Sequence, residues 1–250
     1  MARNAADAAA LFDAFAGPDP LDPTSLDAPA PRALAGLAGV EGARGVRIGV
    51  DAAYLENGVD AETVAAIRRA LGVLESLGAE LVSVEVPDRA DAIAAQLIIT
   101  DVECARFHAP VHARAKADFG PELNGAIERG LKADPLQLAS AYIARDRFKG
   151  EMARLFKQVD ALISPIYPVV GLRYDEMDAA LADLPRLLGF TSPYNVSGSP
   201  SLTLPCGIAA VGMPIGMQLI GPHLSEAALL RLGHAYQMAT DWHLQRPSDF

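Results

Sequence analysis

The chain has 250 residues, 51% of them apolar and 21% charged. That balance supports one large core or two small ones and excludes a disordered chain. The formal net charge of −10 speaks against a nucleic-acid partner, which needs a basic stripe to neutralise phosphates.

Residues 3–16 place Ala8, Leu11, Phe12 and Phe15 on one helical face, and Gly17-Pro18 ends the pattern. No N-cap is recognisable before this helix, and the abrupt start suggests that something once preceded Met1. The prolines at 18, 20, 23, 29 and 31 then dictate a loop. Val46–Val50 reads as a strand. Asp60 can cap a helix with the stripe Val64, Ile67, Leu71, Leu74 and Leu77, and Gly78 suits its C′ position. Val82, Val84 and Val86 alternate with polar residues until Pro87. Two strands joined by a helix predict a parallel pair with a right-handed crossover.

Residues 89–158 read as helical, with breaks expected at Ala109-Pro110, Gly120-Pro121 and Asp134-Pro135. Strands are expected at Asp160–Ser164, Ser201–Pro205 and Pro214–Ile220. Ser225 should cap a last helix that buries Leu229, Leu232, Tyr236 and Ala239. Strands alternating with helices mean α/β. No internal repeat or domain boundary interrupts the pattern.

Several features bear on chemistry. Cys104 and Cys206 are far apart and form no C-x-x-C, so neither a metal knuckle nor a disulfide framework is indicated, and a reduced, cytoplasmic setting is expected. No signal-peptide succession is visible at the N-terminus. The apolar run at 161–172 contains Pro165 and Pro168 and falls short of the ~20 residues a membrane span needs. The basic cluster Arg145, Arg147, Lys149, Arg154 and Lys157 is interrupted by Asp146 and Glu151 and reads as a solvated helix face. His108 and His112 stand four apart, but Pro110 disturbs the single face a metal site would need; no metal and no cofactor are expected. Asn195, Ser197, Gly198 and Ser199 can present donors at a tight turn, as a polar ligand site needs; taken alone, the segment also reads as an ordinary turn before a strand. The four lysines, Lys116, Lys132, Lys149 and Lys157, look like exposed helix positions. A lysine base must be desolvated to be neutral near pH 7, so no complete catalytic set is visible.

The order F-T-S-P-Y-N-V-S-G-S-P-S-L-T-L-P-C-G, then G-M-P-I-G-M-Q-L-I-G-P, then a closing amphipathic helix running on to Pro247, resembles the end of the amidase signature enzymes. That family cleaves linear amides with a serine nucleophile, a bridging serine and a lysine base. The resemblance implies a mixed sheet flanked by helices, in a single domain over residues 1–250 that corresponds to the family's C-terminal portion. The Gly/Ser-rich segment carrying the three catalytic residues has no counterpart here, so no catalytic residue is assigned. The resemblance implies substrate-pocket roles for Ser164, Tyr167, Thr191, Tyr194, Asn195, Ser197 and Gly198. It also implies a small-molecule amide substrate if the missing half is supplied, and inactivity of the chain alone. Self-association or a partner chain carrying the N-terminal half is expected to cover the remaining apolar surface. The alternative is a relic binding module. Leu187-Leu188-Gly189 lacks the acidic residue that the tRNA-dependent amidotransferase branch of the family carries before its loop, so the likeness is closer to general amidases.

Overall fold

Period-two alternation along the strands builds this molecule around one sheet. In the computed structural model, which describes residues 1–246, helix α1 (Ala5–Phe15) comes first and is followed by a long loop. Strand β1 (Arg47–Val50), α2 (Ala52–Glu56), α3 (Ala61–Ser76) and β2 (Glu80–Ser83) then form the expected βαβ unit. Three long helices follow: α4 (Ala90–Ala115), α5 (Pro121–Leu131) and α6 (Pro135–Leu155). The chain closes with β3 (Ala161–Pro165), the short helices α7 (Met177–Leu181), α8 (Leu184–Leu188) and α9 (Ser192–Ser197), the hairpin β4 (Ser201–Ile208) and β5 (Pro214–Ile220), and α10 (Glu226–Met238). Pro247 lies outside the described residues.

The five strands take the order β2-β1-β3-β5-β4. β1 is parallel to β2 and β3, whereas β5 runs antiparallel to β3 and β4. Neighbouring residues of β3 serve opposite faces: Ile163 joins the core under α3 and α10, with Met217 and Leu219, while Leu162 joins the core under α6 and α9, with Phe148, Met152 and Ile220. The fold class is the mixed sheet flanked by helices that the sequence implied.

Several local expectations are corrected. Asn4 does cap α1, its side-chain oxygen accepting from Asp7 N at 2.7 Å. The buried face of α1 is Ala5 and Ala9, while Leu11 and Phe15 are exposed. Small side chains let α1 sit close on α10, where Ala5 N donates to the Gln237 carbonyl oxygen Oε1 at 2.7 Å. Asp60 and Ser225 occupy N-cap positions, but their side chains make no bond to the helix. Asp60 accepts instead from Val170 N, and Ser225 donates to Pro222 O. Pro110 does not break α4, since the packing of α4 on α5 and α6 outweighs the local cost of proline. β2 ends at Ser83, although Val84 N still reaches Val50 O at 3.1 Å. Ala239 is exposed. The segment expected to be a turn before β4 is the helix α9, ended by Gly198 in the left-handed region at φ 70°.

Candidate functional site

One row of polar side chains crosses the sheet. Ser164 on β3 lies opposite Gln218 on β5, and Gln218 lies opposite Thr203 on β4. Ser164 and Gln218 are buried and Thr203 is exposed. The row belongs to the face covered by α9, so its polar atoms need partners there. Gln218 Nε2 donates to Ser164 Oγ at 3.1 Å and to Phe190 O at 2.8 Å, while Ser164 Oγ donates to Pro165 O.

Above this row, Tyr194 OH donates to Tyr54 OH at 3.1 Å, and Tyr54 OH donates to Gly189 O at 3.3 Å. Burial pushes the Tyr194 phenol up to about 12, with the Tyr54 and Ser164 hydroxyls opposing that shift. Burial likewise raises Tyr54 well above the ordinary phenol range. Both are therefore neutral hydrogen-bonding groups near pH 7. The Tyr54 ring stacks on Phe190 at 4.8 Å, and the Arg89 guanidinium lies 4.4 Å from the Tyr54 centroid. A cavity of about 570 Å3 opens beside Arg89, Gly189 and Phe190.

A second polar group gathers at the end of α9. Ser197 Oγ lies 2.8 Å from Ser199 Oγ, and His223 Nε2 donates to Ser197 O at 2.8 Å. A carbonyl accepts only, so Nε2 carries a proton in this contact. The Ser192 hydroxyl is buried with no partner among the described residues.

The structure thus brings Ser164 and Tyr194 into one buried network and places Ser197 and Gly198 at its His223 end. Thr191 is half-buried and anchors the first turn of α9, its carbonyl accepting from Asn195 N at 3.2 Å. Asn195 itself is exposed. Tyr167 is half-exposed and lines a different, apolar groove with Leu172, Met177 and Leu187. Sequence reasoning missed Gln218, Tyr54, Arg89 and Ser192. A lone glutamine inside the apolar strand M-Q-L-I was the one legible signal; the others come from separate segments.

Among the described residues no carboxylate, lysine or histidine side chain bonds the Ser164 hydroxyl. Ser164 meets the Gln218 amide, the Pro165 carbonyl and the Tyr194 hydroxyl, none of which takes a proton near pH 7. All four lysines are exposed, and Lys116 pairs with Glu128. His112 is buried and bonds Asn124 at 2.8 Å, and His108 packs on Phe107 and Phe119. Among the described residues no group of three or more His, Cys, Asp or Glu side chains gathers as metal ligands would. No described helix is long and apolar enough to cross a membrane.

Comparison with known proteins bears on the family and the fold. The chain is 35% identical to the A component of the glutamyl-tRNA(Gln) amidotransferase of Myxococcus xanthus, over 97% of its own length and 54% of that protein's. It is 36% identical to the corresponding protein of Synechococcus sp. over 98% and 52%. Among solved structures, the peptide amidase of Stenotrophomonas maltophilia superposes with a TM-score of 0.67 at 26% identity, over 96% of this chain and 52% of that one. A 6-aminohexanoate cyclic dimer hydrolase superposes with a TM-score of 0.80 at 23% identity, over 99% and 55%, a likeness of fold. The chain spans about half the length of the curated relatives it matches. The amidase sequence family matches residues 1–230. With a match over that much of the sequence and a fold shared with amidase structures, the chain belongs to the amidase family.

Proposed function

We propose that this chain forms one wall of an amide-hydrolysing site whose serine nucleophile, bridging serine and lysine base come from residues outside it, in the same polypeptide or in a partner. The exposure of all four lysines carries this reading, because an exposed ammonium stays protonated and cannot act as base near pH 7. In this wall Gln218 holds Ser164, Tyr54 holds Tyr194, His223 and Ser199 hold Ser197 beside Gly198, Thr191 anchors the first turn of α9, Asn195 stands at its exposed side, and Tyr167 contributes a rim. The chemistry is two-step acyl transfer: the serine attacks the amide carbonyl, the amine or ammonia leaves, and water releases the acid. A reduced, cytoplasmic setting is part of the proposal, supported by the free thiols of Cys104 and Cys206.

The free edge of β4 supports association with the other half. Gly221 N bonds Pro200 O at 3.0 Å, which fixes the ladder parity. The backbone groups of Leu202 and Leu204 therefore face β5, and those of Ser201, Thr203 and Pro205 face outward. Beside that edge an apolar groove of about 420 Å3 runs between α1 and α10, lined by Leu11, Phe12, Phe15, Leu202 and Leu230. An unpaired strand edge next to uncovered apolar surface favours association.

The test is ammonia release from a panel of simple amides by the 250-residue chain, beside a form with Lys116, Lys132, Lys149 and Lys157 all substituted. No release supports the reading; turnover that the substituted form loses overturns it. A second reading, half of the A component of a glutamyl-tRNA amidotransferase, is favoured by the names of the sequence relatives. The missing acidic residue at Leu187-Leu188-Gly189 opposes it. Preference for glutamine over simple amides in the completed enzyme would decide for it.

A further inference from the structure

Arg89 and Arg186 line the same 570 Å3 cavity, together with the apolar side chains of Ile93, Leu97, Pro168 and Phe190. The volume lies inside the range of small-molecule sites, roughly 300–1,000 Å3. Arg89 immediately precedes α4, so the positive end of that helix's dipole opens at the same end and favours negative charge.

The Arg89 guanidinium lies against two aromatic rings. Its central carbon lies 4.4 Å from the Tyr54 ring centroid and 5.6 Å from that of Phe190. A cation–π contact consumes none of the guanidinium's strong N–H hydrogen bonds, which stay available to a planar acceptor. No side-chain hydrogen bond or ion pair ties Arg89 to another described residue, whereas Arg47 pairs with Asp160 and Arg129 with Asp101. Arg186 makes only a long contact, Nη2 to Gly58 O at 3.5 Å. The acidic lining residue, Asp88, commits Oδ1 to Ala90 N at 3.0 Å. The lining therefore holds two guanidinium groups against one carboxylate, in a chain whose net charge is −10.

We propose that this cavity is a carboxylate-binding subsite for a small amphipathic molecule. Arg89 and Arg186 grip the carboxylate, and Ile93, Leu97, Pro168 and Phe190 receive the apolar body. Arginine forks match a carboxylate with paired, charge-assisted hydrogen bonds, which a neutral amide of the same shape cannot reproduce. The subsite stands apart from amide hydrolysis, because it requires binding and no turnover, so failure of either leaves the other intact.

The test is isothermal titration calorimetry on the 250-residue chain with 3-phenylpropionate, and with 3-phenylpropanamide as the neutral isostere. The expected result is tighter binding of the carboxylate by about tenfold or more, the equivalent of one charge-assisted hydrogen bond. Arg186→Met, on an exposed helix, and Arg89→Met should each lower that affinity by about tenfold. The wild-type comparison of acid with amide stands even if Arg89→Met disturbs folding. Equal affinity for acid and amide, no heat from either at millimolar concentration, or an acid affinity unchanged in Arg186→Met and Arg89→Met would each overturn the proposal.

Discussion

Gln218 Nε2 donates to Ser164 Oγ at 3.1 Å across the β3–β5 ladder and, with its other hydrogen, to Phe190 O at 2.8 Å. One amide thereby ties the middle of the sheet to the segment that leads into α9. Gln218→Leu keeps the volume but leaves a buried hydroxyl and a buried carbonyl without their donor. The expected cost is about 1–3 kcal/mol, read from the midpoint of urea unfolding. An unchanged midpoint would mean that the amide holds nothing together.

Gly198 ends α9 at φ 70°, and a Cβ added there would meet His223 Nε2 at an ordinary 3.5 Å. The space is adequate, so the cost of a side chain is a backbone cost. Gly198→Ala should destabilise the chain by about 1–2 kcal/mol and Gly198→Asn by less, since asparagine tolerates the left-handed region. Equal losses for both substitutions would place the cost in packing instead.

Burial moves the Cys206 thiol from 9.0 up to about 12, and the Tyr194 phenol from 10.0 up to about 12. In both the neutral form is favoured by the fold. Their contribution to stability is fully present below the unfolded-state values and is lost as pH rises toward the folded ones. The urea midpoint should therefore hold steady to about pH 9 and fall from there. Cys206→Ala should delay the fall to about pH 10, where the buried tyrosines begin to titrate in the unfolded chain.

The same burial predicts thiol reactivity. Cys206 is 1% exposed whereas Cys104 is half-buried. A thiol reagent should label Cys104 alone in the native chain at pH 8, and both cysteines in denaturant. Labelling of Cys206 under native conditions would mean that β4 opens readily from α3.

Leu11 and Phe15 stand exposed on α1 beside the apolar groove, Phe15 at 76%. The chain is expected to self-associate at micromolar concentration, and the double substitution Leu11→Glu and Phe15→Glu should lower the mass seen by light scattering. A wild-type chain that stays monomeric and melts cooperatively would contradict this.

The sequence revealed the elements whose burial is periodic. The stripe Ile67, Leu71 and Leu74 of α3 is buried as expected, Pro121 and Pro135 open their helices, and β5 spans the expected residues. It misled where a neighbour decides which face is inside. In α1 the larger apolar residues satisfy the helical period, yet the close approach of α10 selects Ala5 and Ala9. It was silent where an element is too short for any period, as in the six residues of α9. The polar row was half legible, through Gln218 in an apolar strand. The Arg89–Tyr54–Phe190 stack joins residues from three separate segments, with Phe190 more than a hundred positions from Arg89, a distance over which no local pattern carries information.

The position of Ser164 in the strand order has a further effect. It lies two strands in from the free side of β4, which at about 4.8 Å per strand is roughly 10 Å. Whatever adds itself along β4 arrives beside Thr203, and Thr203 is one rung from the amide that holds Ser164. An addition along β4 is therefore expected to bear on the shape around Ser164. A substitution at the rim of the sheet is expected to move the urea midpoint that the Gln218–Ser164 bond supports as well as the mass, so both must be measured on the same sample to tell them apart.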